Sequence, residues 1–353
     1  MAPAGVRDLA SGNPDPELLP DLAPVLRRIE PSRQLYGGDP ADPQLLELAR
    51  VEFGGAGIAA EDVAVASGAL DGIERALAAQ LRPGDVVAVE DPGFAGLFDL
   101  LRAAGYALRP VAIDTRGMIP AALADALDDG VAAAIINPRG QNPTGASLDA
   151  ERAKELTNIL DRAPNVMVLE DDHLGPIAGS PRFTLTVGRP RWAAARSLAK
   201  SLGPDLRLAV LAGDAHTISR VRGRQAVGPG WVSHLLQRTA ATLWADPKIA
   251  RDLEKATATY SKRREAFISA LAEHGIEARS PSGLNVWIPV PDETAAVQAL
   301  QAEGWAAAPG APFRLQTKPA IRVTISSLKP DEAPALAAAI ATSLQPSPRT
   351  RPA

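Results

Sequence analysis

Lys200 stands among small and apolar neighbours, with Ser197 three residues before it and Arg207 seven after it. A lysine in such a setting is partly desolvated, which favours the neutral amine that Schiff-base chemistry needs. A hydroxyl and a guanidinium flanking it would suit a phosphate, the guanidinium through paired N–H contacts. Taken alone, the stretch 196–213 reads equally well as a strand, a turn and a strand carrying one exposed lysine.

Other groups of the same kind recur at the ends of apolar runs. Ser67-Gly68-Ala69 opens a helix, whose first amides and dipole could hold a phosphate. Phe94 follows a Pro-Gly turn and could present a flat apolar face. The run 137–145, which contains Asn142, follows one apolar segment, and Asp171 and Asp172 end another. Each alone also fits a structural role, as a turn, a cap or a core aromatic. What they share is location: in open α/β sheets, ligands bind beyond the carboxyl ends of the strands.

The elements that must position these groups can be traced along the chain. Residues 1–35 are rich in Pro, Asp and Leu and are expected to form an arm packed on the smaller domain or a partner, with one short helix near 20–29. A turn at 35–40 precedes a helix through Leu45, Leu46, Leu48 and Ala49. From residue 62 short apolar runs alternate with helices. Strands are expected at 63–66, 86–90, 107–113, 132–136, 166–170, 192–195 and 208–212, and helices at 73–81 and 95–104. Several strands lack polar interruption, which argues for an α/β fold with a mostly parallel central sheet covered on both faces. Residues 215–273 look mainly helical, with a break at 228–230. Strands at 284–290 and 321–326 around a helix at 293–303 form a smaller α+β unit. The expected division is an arm (1–35), a large domain (36–240), a small domain (241–345) and a disordered tail (346–353).

Composition narrows the chemistry. With 353 residues and 46% hydrophobic content the chain can bury more than one core. A net charge of −4 supplies no basic field for nucleic acid or an anionic membrane. The absence of cysteine excludes thiolate metal sites and thiol nucleophiles, and His173, His216, His234 and His274 show no zinc-type spacing, so no metal is expected. The N-terminus lacks a secretory pattern and no apolar run is long enough for a membrane span. A cytoplasmic protein is expected.

The ordered set Tyr36-Gly, Ser67-Gly-Ala, Asp91-Pro-Gly-Phe, Asn142-Pro-Thr-Gly, Glu170-Asp-Asp, Ser197-x-x-Lys and Arg207 resembles fold type I pyridoxal-phosphate (PLP) enzymes, specifically class I/II aminotransferases. It is more similar still to the aminotransferase-like domain of MocR-type (GntR family) regulators, and the resemblance runs from Gly12 to about Leu344. It implies pyridoxal 5'-phosphate as cofactor, with Lys200 as the Schiff-base lysine and later the proton-transferring base. Asp171 would partner the pyridine nitrogen, Asn142 the ring hydroxyl oxygen, and Phe94 would stack on the ring. Ser67, Gly68, Ala69, Ser197 and Arg207 would form the phosphate cup. Tyr36 would reach the phosphate of a neighbouring subunit, implying a homodimer with shared active sites. Arg322 would clamp a substrate α-carboxylate, together with Asn142, and Gly12 would belong to the arm that closes over substrate.

The chain departs from that pattern once. The tyrosine usual three residues after the strand-end aspartate is replaced by Leu174, and His173 beside it could substitute. Adjacent side chains need not point the same way. Two readings follow from the resemblance. One is an aminotransferase exchanging an amino group between an amino acid and a 2-oxo acid. The other is a PLP-binding effector domain of a MocR-type regulator with little or no turnover. No basic recognition helix precedes residue 12, so nucleic-acid binding by these residues is not expected.

Overall fold

The computed structural model describes residues 5–30, 33, 35–58 and 60–344. The expected tail at 346–353 lies outside the described residues, as do parts of the arm.

The centre is an eight-stranded sheet. Its strands are β1 (Val63–Ala66), β2 (Val86–Asp91), β3 (Ala107–Asp114), β4 (Gly117–Met118), β5 (Ala133–Ile136), β6 (Met167–Asp172), β7 (Trp192–Ser197) and β8 (Ala209–Gly213). They lie in the order β1-β8-β7-β6-β5-β2-β3-β4. Neighbours from β7 to β3 pair in parallel, whereas β8 is antiparallel to both β1 and β7. The apolar runs of β1, β5 and β8 are buried along their whole length, as a sheet covered on both faces requires.

Helices α1 (Pro43–Gly54), α2 (Ala69–Gln80), α3 (Ala95–Ala103), α4 (Pro120–Asp128), α5 (Ala150–Leu160), α6 (Ala199–Leu202), α7 (Ala215–Ala226) and α8 (His234–Ala245) belong to this layer. Aspartates start several of them. Asp42 accepts from the Leu45 amide at 3.1 Å and Asp149 from the Arg152 amide at 2.8 Å. The long α9 (Pro247–Glu273) then leads to the antiparallel strands β9 (Asn285–Pro289), β10 (Ala308–Pro309) and β11 (Ala320–Thr324), covered by α10 (Glu293–Ala302) and α11 (Ala333–Ser343).

The arm has no core of its own. Arg7–Asp8 pairs in parallel with Trp305–Ala306, and Leu9 is buried in the cluster formed by α9, α10, α11, β9 and β11. The short helix expected near 20–29 is one turn, Ala23–Leu26.

Strand ends differ instructively from the sequence reading. β6 continues through Asp172 and β7 through Ser197, each two residues beyond its expected end. Asp172 and Arg196 face each other across the ladder and form an ion pair at 3.1 Å, so the charged residues extend the strands. Helix α2 begins at Ala69 rather than residue 73, directly after Gly68.

Candidate active site

The carboxyl ends of β1, β2, β5, β6 and β7 lie along one rim of the sheet. Because β8 runs the opposite way, its beginning falls on the same rim, and this delivers Arg207. Residues following these strands meet residues 11–12 and the start of β9 and the middle of β11 around a cavity of about 280 Å³. Gly12, Ala69, Phe94, Asn142, Asp171, His173, Ser197, Lys200, Arg207 and Arg322 all line it. Groups as far apart in sequence as Gly12 and Arg322 thus share one enclosure.

Lys200 sits in α6, one turn beyond β7. Its Nζ donates to the Gly12 carbonyl at 2.6 Å. Burial lowers its pKa to about 8, with the Arg322 guanidinium adding to the effect. Asp171 and Asp172 point to opposite sides, as successive strand residues do. Asp171 lines the cavity, and its Oδ1 is buried without a hydrogen-bond partner among the described residues. Burial, and then the Asp172 carboxylate, push its pKa up to about 7. Burial also works against ionisation of Asp172, but the Arg196 and Arg139 guanidiniums overcome it and hold that carboxyl below its usual range.

Arg322 comes from β11 and is 5% exposed. It lies over the Phe313 ring, 4.4 Å from the centroid, and donates to Asn142 Oδ1 at 3.0 Å and to the Ala10 carbonyl. Its Nε has no partner among the described residues. His173 lines the cavity wall, where burial and then the Lys200 charge lower its pKa to about 4, so it is neutral at physiological pH. Leu174 is 2% exposed and packs into the cluster that includes Ile177 and Tyr260.

The phosphate-cup candidates behave differently from one another. Gly68 has φ +99°, and a Cβ there would stand 3.2 Å from Arg207 Nη2, so the glycine lets the guanidinium approach the start of α2. Arg207 is itself in the left-handed region at φ 45°. Ser67 is exposed, its amide donates to Asp71 Oδ2 at 2.9 Å, and it does not line the cavity. Tyr36 is 93% exposed, edge-on to Trp231 with centroids 5.5 Å apart, and is likewise away from this chain's cavity.

Several residues here escaped the sequence reading, although in the sequence Phe313 is a candidate either to line a pocket or to pack the core. Asn285 donates to Asn142 Oδ1 at 3.3 Å, Leu70 and Leu284 form apolar wall, and Phe313 supports Arg322. Behind Asp171, Asn137 donates its Nδ2 to the Asp171 carbonyl at 2.7 Å and its amide to Glu90 Oε1 at 3.1 Å. Burial raises the Glu90 pKa to about 8, so this carboxyl stays protonated near neutrality. Asn285 starts a strand that looks ordinary and no local signal marks Glu90, whereas Asn137 opens the strand-end run 137–145 that stands out in the sequence.

The donor set fits pyridoxal 5'-phosphate. A buried carboxylate oxygen lacking a partner is what a protonated pyridine nitrogen would satisfy. Lys200, the Gly68–Arg207 corner and the flat Phe94 ring, which lies over Gly96, supply an amine, an anion-binding corner and an apolar face.

Comparisons with known proteins agree. The family described as aminotransferase class I and II matches residues 4–340. The vitamin B6 salvage pathway transcriptional repressor PtsJ of Salmonella typhimurium is 40% identical over 95% of this chain and 79% of its own length. The aminotransferase tdiD of Emericella nidulans is 28% identical over 68% of this chain, and the HTH-type transcriptional regulator TauR of Rhodobacter capsulatus 29% identical over 87%. The chain spans 61% and 66% of those two proteins. Among solved structures, a kynurenine aminotransferase of Pyrococcus horikoshii superposes with a TM-score of 0.88 at 21% identity, covering 97% of this chain and 91% of that one. An archaeal alanine:glyoxylate aminotransferase gives 0.87 at 22%, covering 96% and 90%. The chain is a fold type I member of the class I and II aminotransferases, a family whose cofactor is pyridoxal 5'-phosphate, and it is related to the aminotransferase-like domains of MocR-type regulators.

Proposed function

We propose that this protein is a PLP-dependent aminotransferase that moves an amino group between an amino acid and a 2-oxo acid in the cavity around Lys200. One observation carries the reading: the Lys200 amine, the unpartnered Asp171 Oδ1 and the Arg322 guanidinium face one enclosed cavity. When bound, the cofactor supplies a carbonyl carbon for the amino group and an electron sink for the adjacent carbanion.

This chain's residues do the rest. Lys200, with its pKa near 8, has a neutral fraction near pH 7 that can attach to the cofactor aldehyde, and the amine can afterwards carry a proton. Asp171 holds a proton on the ring nitrogen through Oδ1. Asn142 and His173 offer polar contacts on the cavity wall, and Arg207 beside Gly68 balances the phosphate. Arg322, braced by Phe313 and Asn142, binds the substrate carboxylate through its planar fork. Residues 11–12 cover the cavity and exclude water. A homodimer, with Tyr36 reaching the partner's site, completes this proposal.

The test is single turnover. Purified yellow protein is mixed with a panel of amino acids, and both the pyridoxamine absorbance and the released 2-oxo acid are followed. Stoichiometric oxo acid from at least one amino acid supports transfer. Spectral shifts without oxo acid across the panel reject it. That result would favour a second reading, a ligand-sensing effector domain, which rests on the 40% identity to a transcriptional repressor.

A further inference from the structure

Asn142 is held by only one of its two amide atoms. Arg322 Nη1 donates to its Oδ1 at 3.0 Å, and Asn285 Nδ2 donates to the same oxygen at 3.3 Å. Asn142 Nδ2 has no hydrogen-bond partner among the described residues and is not one of the enclosed polar atoms. Asn142 lines the cofactor cavity, so this nitrogen is a donor available to what the cavity holds.

A donor-only group sets which way round each amide stands. A guanidinium has no acceptor, so Asn142 presents its oxygen to Arg322. Asn285 can meet that oxygen only with an N–H, which turns its own oxygen away. There Asn285 Oδ1 accepts from Thr324 Oγ1 at 2.9 Å, so the hydroxyl proton is directed as well. The backbone builds this row. Asn285 and Thr324 are direct partners where β9 and β11 run antiparallel, and both are buried. Arg322 lies two residues before Thr324, on the same face of the strand. The Asn285 carbonyl is tied down in turn by Ser280 Oγ at 2.7 Å. Reversing any one amide would set like groups against each other in a buried place, which is costly.

The two anchors of Asn142 differ. Arg322 is also the carboxylate clamp, and one bond to it leaves the Asn142 amide free to swing about that bond. The second bond, from Asn285, fixes the amide plane. We propose that Asn285, anchored by Thr324, is a positioning residue that keeps the Asn142 nitrogen turned into the cavity as a donor to the ring hydroxyl oxygen of the bound cofactor. Such a bond strengthens when that oxygen carries its full charge, which lowers the pH midpoint of the cofactor's absorbance. The proposal deepens the reading above and rests on its cofactor geometry, not on amino transfer.

The test is therefore made without substrate, as a visible-range pH titration of cofactor-loaded protein. Asn142→Ala is expected to raise the midpoint by about one unit, the scale of a hydrogen bond to a charged group. Asn285→Ala and Thr324→Val should each raise it by roughly half a unit, and Thr324→Ser, which keeps the hydroxyl, should leave it unchanged. Asn285→Ala added to Asn142→Ala should raise it no further, because Asn285 then has no amide left to orient. Asp171, His173, Lys200, Arg207 and Arg322, the charged and titratable groups lining the cavity, are the same in every variant. If Asn285→Ala fails to hold the cofactor, Thr324→Val, which keeps the shape of threonine, carries the test. A midpoint unmoved by Asn142→Ala, or unmoved by Asn285→Ala and Thr324→Val even where the melting temperature falls, would overturn the proposal. So would an Asn285→Ala shift that adds in full to that of Asn142→Ala.

Discussion

Lys200 Nζ donates to the backbone carbonyl of Gly12 at 2.6 Å, and the same glycine lies against the Arg322 guanidinium. One residue of the arm therefore touches both the cofactor-attaching amine and the carboxylate clamp. The arm is tied to the smaller unit by the Arg7–Asp8 strand pair and by Leu9, so the cover over the site is built into the fold.

Gly12→Ala should therefore damage substrate binding more than cofactor binding. A Cβ would stand 3.2 Å from Arg322 Nη2, on a backbone with φ +69°. The left-handed conformation alone costs a side chain about 1–2 kcal/mol. KM is expected to rise about tenfold, equivalent to ~1.4 kcal/mol, with cofactor affinity unchanged. Steady-state kinetics beside a cofactor titration check this, and an unaltered KM would count against the clamp.

Gly68→Ala should act on the other end of the site. Its Cβ would press within 3.2 Å of Arg207 Nη2, at a backbone φ of +99°. Arg207 must then move from the phosphate corner, and cofactor affinity should fall about tenfold, ~1.4 kcal/mol. Absorbance titration of cofactor-free protein measures it.

Asp171 makes the cofactor-free protein sensitive to pH. Its pKa rises from 3.8 unfolded to about 7 folded, chiefly through burial. Between those values the folded state keeps a proton that the unfolded state has released, so stability falls as pH rises from about 4 to 7. The full effect is on the order of 4 kcal/mol above that window. Asp171→Asn should reduce this dependence to the part that Glu90, with its own raised pKa, contributes in the same direction, leaving the cofactor-free variant more stable than wild type at pH 8 and similar at pH 4, while amino transfer is lost. Urea denaturation at the two pH values tests the sign. A wild-type protein equally stable at both would contradict it.

His173 and Leu174 should respond oppositely to substitution. Leu174 Cδ1 lies 2.4 Å from where a Cβ on Gly140 would stand and 3.1 Å from the corresponding point on Gly283, so its side chain fills space beside two glycines. Leu174→Tyr should overpack that space, costing about 1–3 kcal/mol, and should not restore a phenol to the cofactor. His173→Phe should leave stability nearly intact and raise the pH midpoint of the bound cofactor's absorbance by about one unit through loss of a polar contact. A visible-range pH titration and a thermal melt separate the two.

Much of this arrangement was legible in the sequence, because the groups sit at strand ends and strand ends are marked by glycine, proline and the stop of apolar runs. Asn142, Asp171, Ser197 and Lys200 all follow such runs. The register of Asp172 against Arg196 was not legible, since a charge pair buried across a ladder looks like the end of a strand. Arg207 illustrates a second limit. Its place on the rim follows from β8 running antiparallel, which only the assembled sheet shows. Phe313 and Asn285 contribute through tertiary contacts with Arg322 and Asn142, and neither belongs to a local pattern.

Amino transfer at Lys200 is tested most directly by following the nitrogen. Wild-type protein and Lys200→Ala, both loaded with cofactor, are incubated with nitrogen-labelled amino acids, and the extracted cofactor is weighed by mass spectrometry. One equivalent of label per chain in the wild type and none in Lys200→Ala is the expected result. Unlabelled cofactor from the wild type with every amino acid would contradict the proposal.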